Sequence, residues 1–143
     1  MLDEYIFTLN RFFRERFGER VQRIPLDIGA RCPHLEDGGC IYCYKGSKAP
    51  LPYMNLPLGE QIAEGVKWAR RRARLFFAYA QAYSATYVEI DVLKQFFCEL
   101  EKYPEIVGVV MGTRPDCVSY EVLRVIDDLR AVSYTHLTLP TKA

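Results

Sequence analysis

The stretch RLFFAYAQAY, residues 74 to 83, decides the fold. Its apolar and aromatic run is continuous, without the alternation of a strand that shows one face to water, and it suits a strand buried on both faces. Strands of that kind belong to parallel sheets covered by helices. Upstream, apolar residues recur at Leu58, Ile62, Val66, Ala69 and Ala73, an amphipathic spacing that predicts a helix of about four turns. Downstream, Val92, Leu93, Phe96, Phe97 and Leu100 predict a second helix, EIVGVVMG a further buried strand, and SYEVLRVIDDL a third helix through Val122, Val125, Ile126 and Leu129. Nearer the start, RVQRIPLDIGA reads as a strand ending just before Cys32. Residues 5 to 17 place Ile6, Leu9, Phe12 or Phe13 and Phe17 at helical spacing, with Gly18 as the stop. Strand and helix in alternation mean βαβ units, an α/β fold with a parallel sheet, and chemistry at the carboxyl ends of the strands. Those three exits are GARCP, QAYSATY and GTRPDC.

Composition bounds the rest. A chain of 143 residues, half of them hydrophobic and 26% charged, has the make-up of one globular domain or part of one. A formal net charge of +1 gives no global field toward nucleic acid or membrane. LFFAYA is far too short to span a bilayer, and the opening LDEYIFTLNRFFRERFGER is too charged for a signal peptide, so a cytoplasmic location with reduced thiols is expected.

The first exit opens CPHLEDGGCIYC, residues 32 to 43, which holds three of the five cysteines. Clustered thiols in a glycine-bearing loop are metal ligands by preference. Two ligand sets are open on spacing alone, beside unligated thiols or a redox C-x-x-C pair. Cys32, His34, Cys40 and Cys43 make a four-ligand zinc site; Cys32, Cys40 and Cys43 make a three-cysteine iron–sulfur site with one iron left open.

RVQRIPLDIGARCPHLEDGGCIYC, FAYAQAYSATY and IVGVVMGTRPDCVSYEVL together resemble the radical S-adenosylmethionine (SAM) superfamily. The likeness is to an uncharacterised bacterial subfamily related to the elongator catalytic subunit, and it runs from about residue 5 to about residue 130. The spacing between Cys32 and Cys40 is shorter than is usual in that subfamily. The resemblance implies an incomplete barrel of TIM type. It also implies a 4Fe–4S cluster on Cys32, Cys40 and Cys43, with SAM chelating the fourth iron and being cleaved reductively to a 5′-deoxyadenosyl radical. Tyr42 would lie beside the adenine. Gln81 and Tyr83, at the second exit, would hold the amino end of SAM, although no Gly-Gly-Glu run stands there. Thr113 and Arg114, at the end of the third strand, are further candidate cofactor contacts, with Asp116 to orient Arg114 toward a carboxylate or phosphate; the alternative is an Arg–Asp pair that closes a Pro turn. An electron donor such as flavodoxin or ferredoxin is implied, and the elongator-type likeness suggests tRNA as a partner. The alternative function is a zinc-stabilised binding module that takes RNA through Arg70, Arg71, Arg72 and Arg74. That run is also read as a solvated cap at the end of the first helix. Cys98 is expected to be a small buried hydrophobe and Cys117 to pack in the core.

The last residues, VSYTHLTLPTKA (132 to 143), follow a helix that would lead to a fourth strand, yet lack the buried apolar run of a central strand. They resemble a translated transposase adapter of sequencing libraries and are expected to be a non-native tail on a radical SAM fragment spanning residues 1 to 131. Such a fragment is expected to hold a cluster without turning over.

Overall fold

A computed structural model of the chain describes residues 2–41, 43, 51–130 and 134–138. Two helices, α1 (Leu2–Tyr5) and α2 (Leu9–Phe17), precede strand β1 (Val21–Pro25). Helix α3 (Leu58–Ala69) leads to β2 (Leu75–Ala80), α4 (Ile90–Glu101) to β3 (Ile106–Gly112), and α5 (Tyr120–Arg130) to β4 (Tyr134–Thr138). The four strands form one parallel sheet in the order β1-β2-β3-β4. The expected α/β architecture with a parallel sheet is therefore present.

Strand order matching chain order has a physical consequence. When every crossover moves one strand in the same direction, a constant hand puts all the helices on one face. The main core has that composition. Ile62, Val66 and Ala69 of α3, Leu93, Phe96 and Leu100 of α4, and Val122 and Ile126 of α5 pack with Ile24, Phe76, Ala78, Ala80, Val109 and Met111. The opposite face carries a smaller cluster in which Phe13 of α2 stacks on Phe77, with ring centroids 4.8 Å apart. Phe76 and Phe77 are both fully buried, on opposite faces, so β2 is covered on both sides as its sequence predicts.

Four expectations change in detail. The amphipathic run before α2 is interrupted because Thr8 adopts an extended conformation and its hydroxyl accepts the Arg11 N–H at 3.1 Å, starting a new helix. Leu9 remains exposed, since only one face of α2 meets the sheet, and Ile6, between the two helices, is exposed as well. Helix α3 stops at Ala69, with Arg70 as its C-cap, so the arginine run follows the helix instead of closing it. Its members are spent partly on the protein itself: Arg70 pairs with Glu105, and the Arg72 guanidinium lies 4.8 Å from the Trp68 ring centroid. The fourth change concerns Tyr134–Thr138, which pair in parallel with Gly108–Gly112 where no strand was expected. An edge strand needs no second buried face, and Tyr and Thr suit a pleated surface, so β3 recruits a segment that a central strand would reject. No helix among the described residues is long and apolar enough to cross a membrane.

Close packing of α3 on β1 depends on Gly65, where an added Cβ would fall 2.5 Å from Ile24 Cγ2. Gly65→Ala should destabilise the fold by about 1–3 kcal/mol through overpacking, measured by urea unfolding. The neighbouring Tyr53 hydroxyl is buried with no hydrogen-bond partner among the described residues, and burial pushes its pKa up to about 12. A raised pKa means stability intact below the ordinary value of 10.0 and falling as pH climbs toward 12. Tyr53→Phe should flatten that alkaline limb and leave stability at neutral pH unchanged or improved, because it removes an unsatisfied buried polar group.

Candidate functional site at the strand exits

The three segments that leave the carboxyl ends of β1, β2 and β3 are joined by main-chain hydrogen bonds. Ser84 N–H donates to the Arg31 carbonyl at 3.2 Å, and Arg31 N–H to the Tyr87 carbonyl at 3.3 Å. Ala85 N–H donates to the Gly112 carbonyl at 2.8 Å. The segment after β2 thus bridges the other two exits, and GARCP, QAYSATY and GTRPDC share one end of the sheet.

Buried hydroxyls lock this junction. Thr86 and Thr113 are 3% and 1% exposed, and their hydroxyls bond to each other. Thr86 Oγ1 also donates to the Cys117 carbonyl at 2.7 Å. Thr113, expected as a ligand contact, is turned inward and supports the exit. Gln81 sits just past β2, with its Oε1 accepting from the Tyr79 hydroxyl. Gly112 lets it approach closely, since a Cβ there would stand 3.3 Å from Gln81 Cγ. Tyr83 holds φ at 59°, a left-handed conformation uncommon for a bulky residue and typical of places where the surrounding structure overrides local preference. Beside it Ser84 is fully buried, and its hydroxyl has no partner among the described residues.

At the third exit Arg114 makes a bidentate pair with Asp116, both contacts at 2.9 Å. That hydrogen-bonded pair raises the Arg114 pKa and holds the Asp116 carboxyl below the usual range; Cys32 and Cys117 add smaller contributions to Arg114 in the same direction. His34 Nε2 lies 3.9 Å from Asp116 Oδ2, so the cysteine loop reaches the third exit.

The cysteine loop is rooted at its start by backbone hydrogen bonds. Cys32 is extended and starts a short 3-10 turn, Pro33–Leu35, with Leu35 N–H donating to the Cys32 carbonyl at 3.1 Å. Gly38 and Gly39 both take positive φ, and Cys43 N–H donates to the Cys40 carbonyl at 2.9 Å, closing one turn over the C-x-x-C pair. Cys32, Cys40 and Cys43 are each partly buried. Among the described residues no three His, Cys, Asp or Glu side chains stand close enough to share a metal ion. Tyr42 lies outside the described residues. Cys117 is buried as expected. Cys98 is not: it is exposed, because the core face of α4 is set by Leu93, Phe96, Phe97 and Leu100, and the residue after Phe97 turns to solvent. Sequence reasoning missed Thr86, Ser84 and Gln61, polar residues whose burial nothing in the hydrophobic pattern signals.

The chain is similar to proteins that have no assigned activity. It is 32% identical over 119 residues to an uncharacterised protein of Methanocaldococcus jannaschii, covering 80% of this chain and 37% of that one. It is 32% identical over 123 residues to Protein YhcC of Escherichia coli K12 (83% and 40% covered). Similarity to the uncharacterised YtqA of Bacillus subtilis is 28% over 92% of this chain and 43% of that protein. The chain therefore spans about two fifths of the length of the curated relatives it matches. No family model matches, and no solved structure matches.

Two hydroxyls in the junction should respond oppositely to deletion. Thr86→Val removes both bonds and leaves the Cys117 carbonyl without this donor, costing about 1–3 kcal/mol in denaturant unfolding. Ser84→Ala removes a hydroxyl that has no partner among the described residues and should be neutral or stabilising in the same assay.

Proposed function

We propose that the chain is the N-terminal part of a radical SAM enzyme, carrying the first βα units of a parallel barrel and its cluster loop. The observation that carries this reading is the cysteine loop's position. Three cysteines within twelve residues follow the first strand of a singly wound parallel sheet, at the end where all three exits converge. A sheet whose strand order follows the chain, with its crossover helices on one face, supports the barrel reading over a doubly wound one, in which the order reverses.

The donor set suits a cluster. Three cysteines leave one iron without a protein ligand, and Gly38 and Gly39 give the loop the freedom to wrap. The three thiols are not gathered among the described residues, so binding would draw them together and couple to local ordering of the chain. Cys32, Cys40 and Cys43 would hold the cluster as thiolates; when bound, it would supply the low-potential electron that breaks a carbon–sulfur bond of SAM, giving methionine and a 5′-deoxyadenosyl radical. The chain's own residues would do the rest. Arg114, kept charged and fixed by Asp116, presents its remaining N–H donors to a carboxylate at the third exit. Gln81 and Tyr83 offer polar groups at the second, with Tyr42 reading the adenine. Thr86 and Thr113 hold the exits in register. The Ser84 hydroxyl, without a partner among the described residues, adds a buried polar group to this junction. A reducing cytoplasm and a flavodoxin- or ferredoxin-type donor complete the proposal; substrate specificity would belong to the portion of the relatives that this chain does not span.

Substitution of the cysteines tests the reading. After anaerobic reconstitution, Cys32→Ala, Cys40→Ala or Cys43→Ala should each abolish the thiolate-to-iron absorbance near about 400 nm, while Cys98→Ala and Cys117→Ala should keep it. Full absorbance in Cys40→Ala would refute the ligand assignment.

A further inference from the structure

Gln61 is only 2% exposed, an amide in the first half of α3, whose other buried residues are Ile62, Gly65, Val66 and Ala69. Burying an amide is costly unless each of its groups is bonded, and here they are. Its Oε1 accepts from the Asp27 main-chain N–H. Its Nε2 donates to the Asp27 carbonyl at 3.1 Å and to the Leu56 carbonyl at 3.3 Å.

The two partners stand at opposite ends of one loop. Asp27 lies just past β1, where the ladder to β2 ends: Leu26 N–H still reaches the Tyr79 carbonyl at 2.9 Å. A side-chain amide has the same donor and acceptor as a peptide group, so Gln61 continues the ladder by one residue from the helix side. Leu56 ends the short 3-10 turn Pro52–Asn55, through which the chain returns to α3. One side chain therefore ties the outgoing limb of the cysteine loop to its returning limb. The outgoing limb is then held at successive points, by Gly29 N–H on Asp27 Oδ1 at 2.9 Å and by the Arg31 bonds to Tyr87 and Ser84. Past Cys32 the backbone bonds seen in the loop are short-range turns.

We infer that Gln61 is a positioning residue for the thiol loop: it acts through Asp27 and Leu56 to fix the base from which Cys32, Cys40 and Cys43 are presented. The link to a metal rests on the proposed function, whereas the clamp itself does not. Two variants test it. Gln61→Met is close in length and removes all three bonds; Gln61→Glu keeps an acceptor for the Asp27 N–H and loses both donations. Native-state alkylation followed by peptide mass spectrometry reports Cys32, with exposed Cys98 as the reference and buried Cys117 as the monitor of global unfolding. Iron bound per chain after anaerobic reconstitution is measured in parallel.

Both variants should raise the Cys32 to Cys98 alkylation ratio several-fold while Cys117 stays protected, with the larger change in Gln61→Met, and both should lose iron relative to the unsubstituted chain. If Gln61→Met fails to fold, Gln61→Glu carries the test. An unchanged ratio in the folded variants, or a rise in Cys32 and Cys117 together, would overturn the inference by showing no clamp or only a general loss of stability. An unsubstituted chain that takes up no iron would remove the cluster reading, and the alkylation ratio would still decide the clamp.

Discussion

Backbone pairing between the segment after β2 and its two neighbours is the constraint on which the site depends. Ser84 N–H to the Arg31 carbonyl and Ala85 N–H to the Gly112 carbonyl hold three loops from three strands at fixed separation. Without them the cysteine loop, Gln81 and Arg114 would be independent surface features. These bonds are available because β2 is central, and β2 is central because Phe76 and Phe77 are both buried, one under the crossover helices and one under Phe13. The burial pattern of one hexapeptide therefore sets where chemistry can be done, as parallel sheets require.

The junction divides into a rigid base and an open rim. Thr86, Thr113 and the carbonyl of Cys117 form the base, with hydroxyls fully enclosed by protein. The rim consists of partly buried thiols, exposed Gln81, and an Arg114 whose charge Asp116 orients. Rigid support beneath chemically versatile side chains is what positions a bound group. His34, a candidate fourth zinc ligand by spacing, has its Nε2 3.9 Å from Asp116 Oδ2, so the first and third exits meet there.

The order of elements, the buried faces and the shared end of the sheet were legible in the sequence, because hydrophobic burial is periodic and the hand of βαβ crossovers is fixed. Cys117 followed from the same logic. What escaped was polar or marginal. Gln61 sits among Ile62, Val66 and Ala69, and no period distinguishes an amide that clamps a loop from one that faces water. Cys98 was misplaced because one position along a helix is a turn of about 100° from core to solvent. The fourth strand was rejected for lacking an apolar run, although an edge strand is held by its ladder to β3 and not by burial on both faces.

The central claim is that Cys32, Cys40 and Cys43 form one metal-binding unit of iron–sulfur type at the junction of the exits. Metal analysis of the anaerobically reconstituted chain, joined to electron paramagnetic resonance of the reduced protein with and without SAM, tests it most directly. The account predicts a brown protein with about four irons per chain and a reduced-cluster signal that changes when SAM is added. A colourless protein holding one zinc, or an iron signal indifferent to SAM, would contradict it.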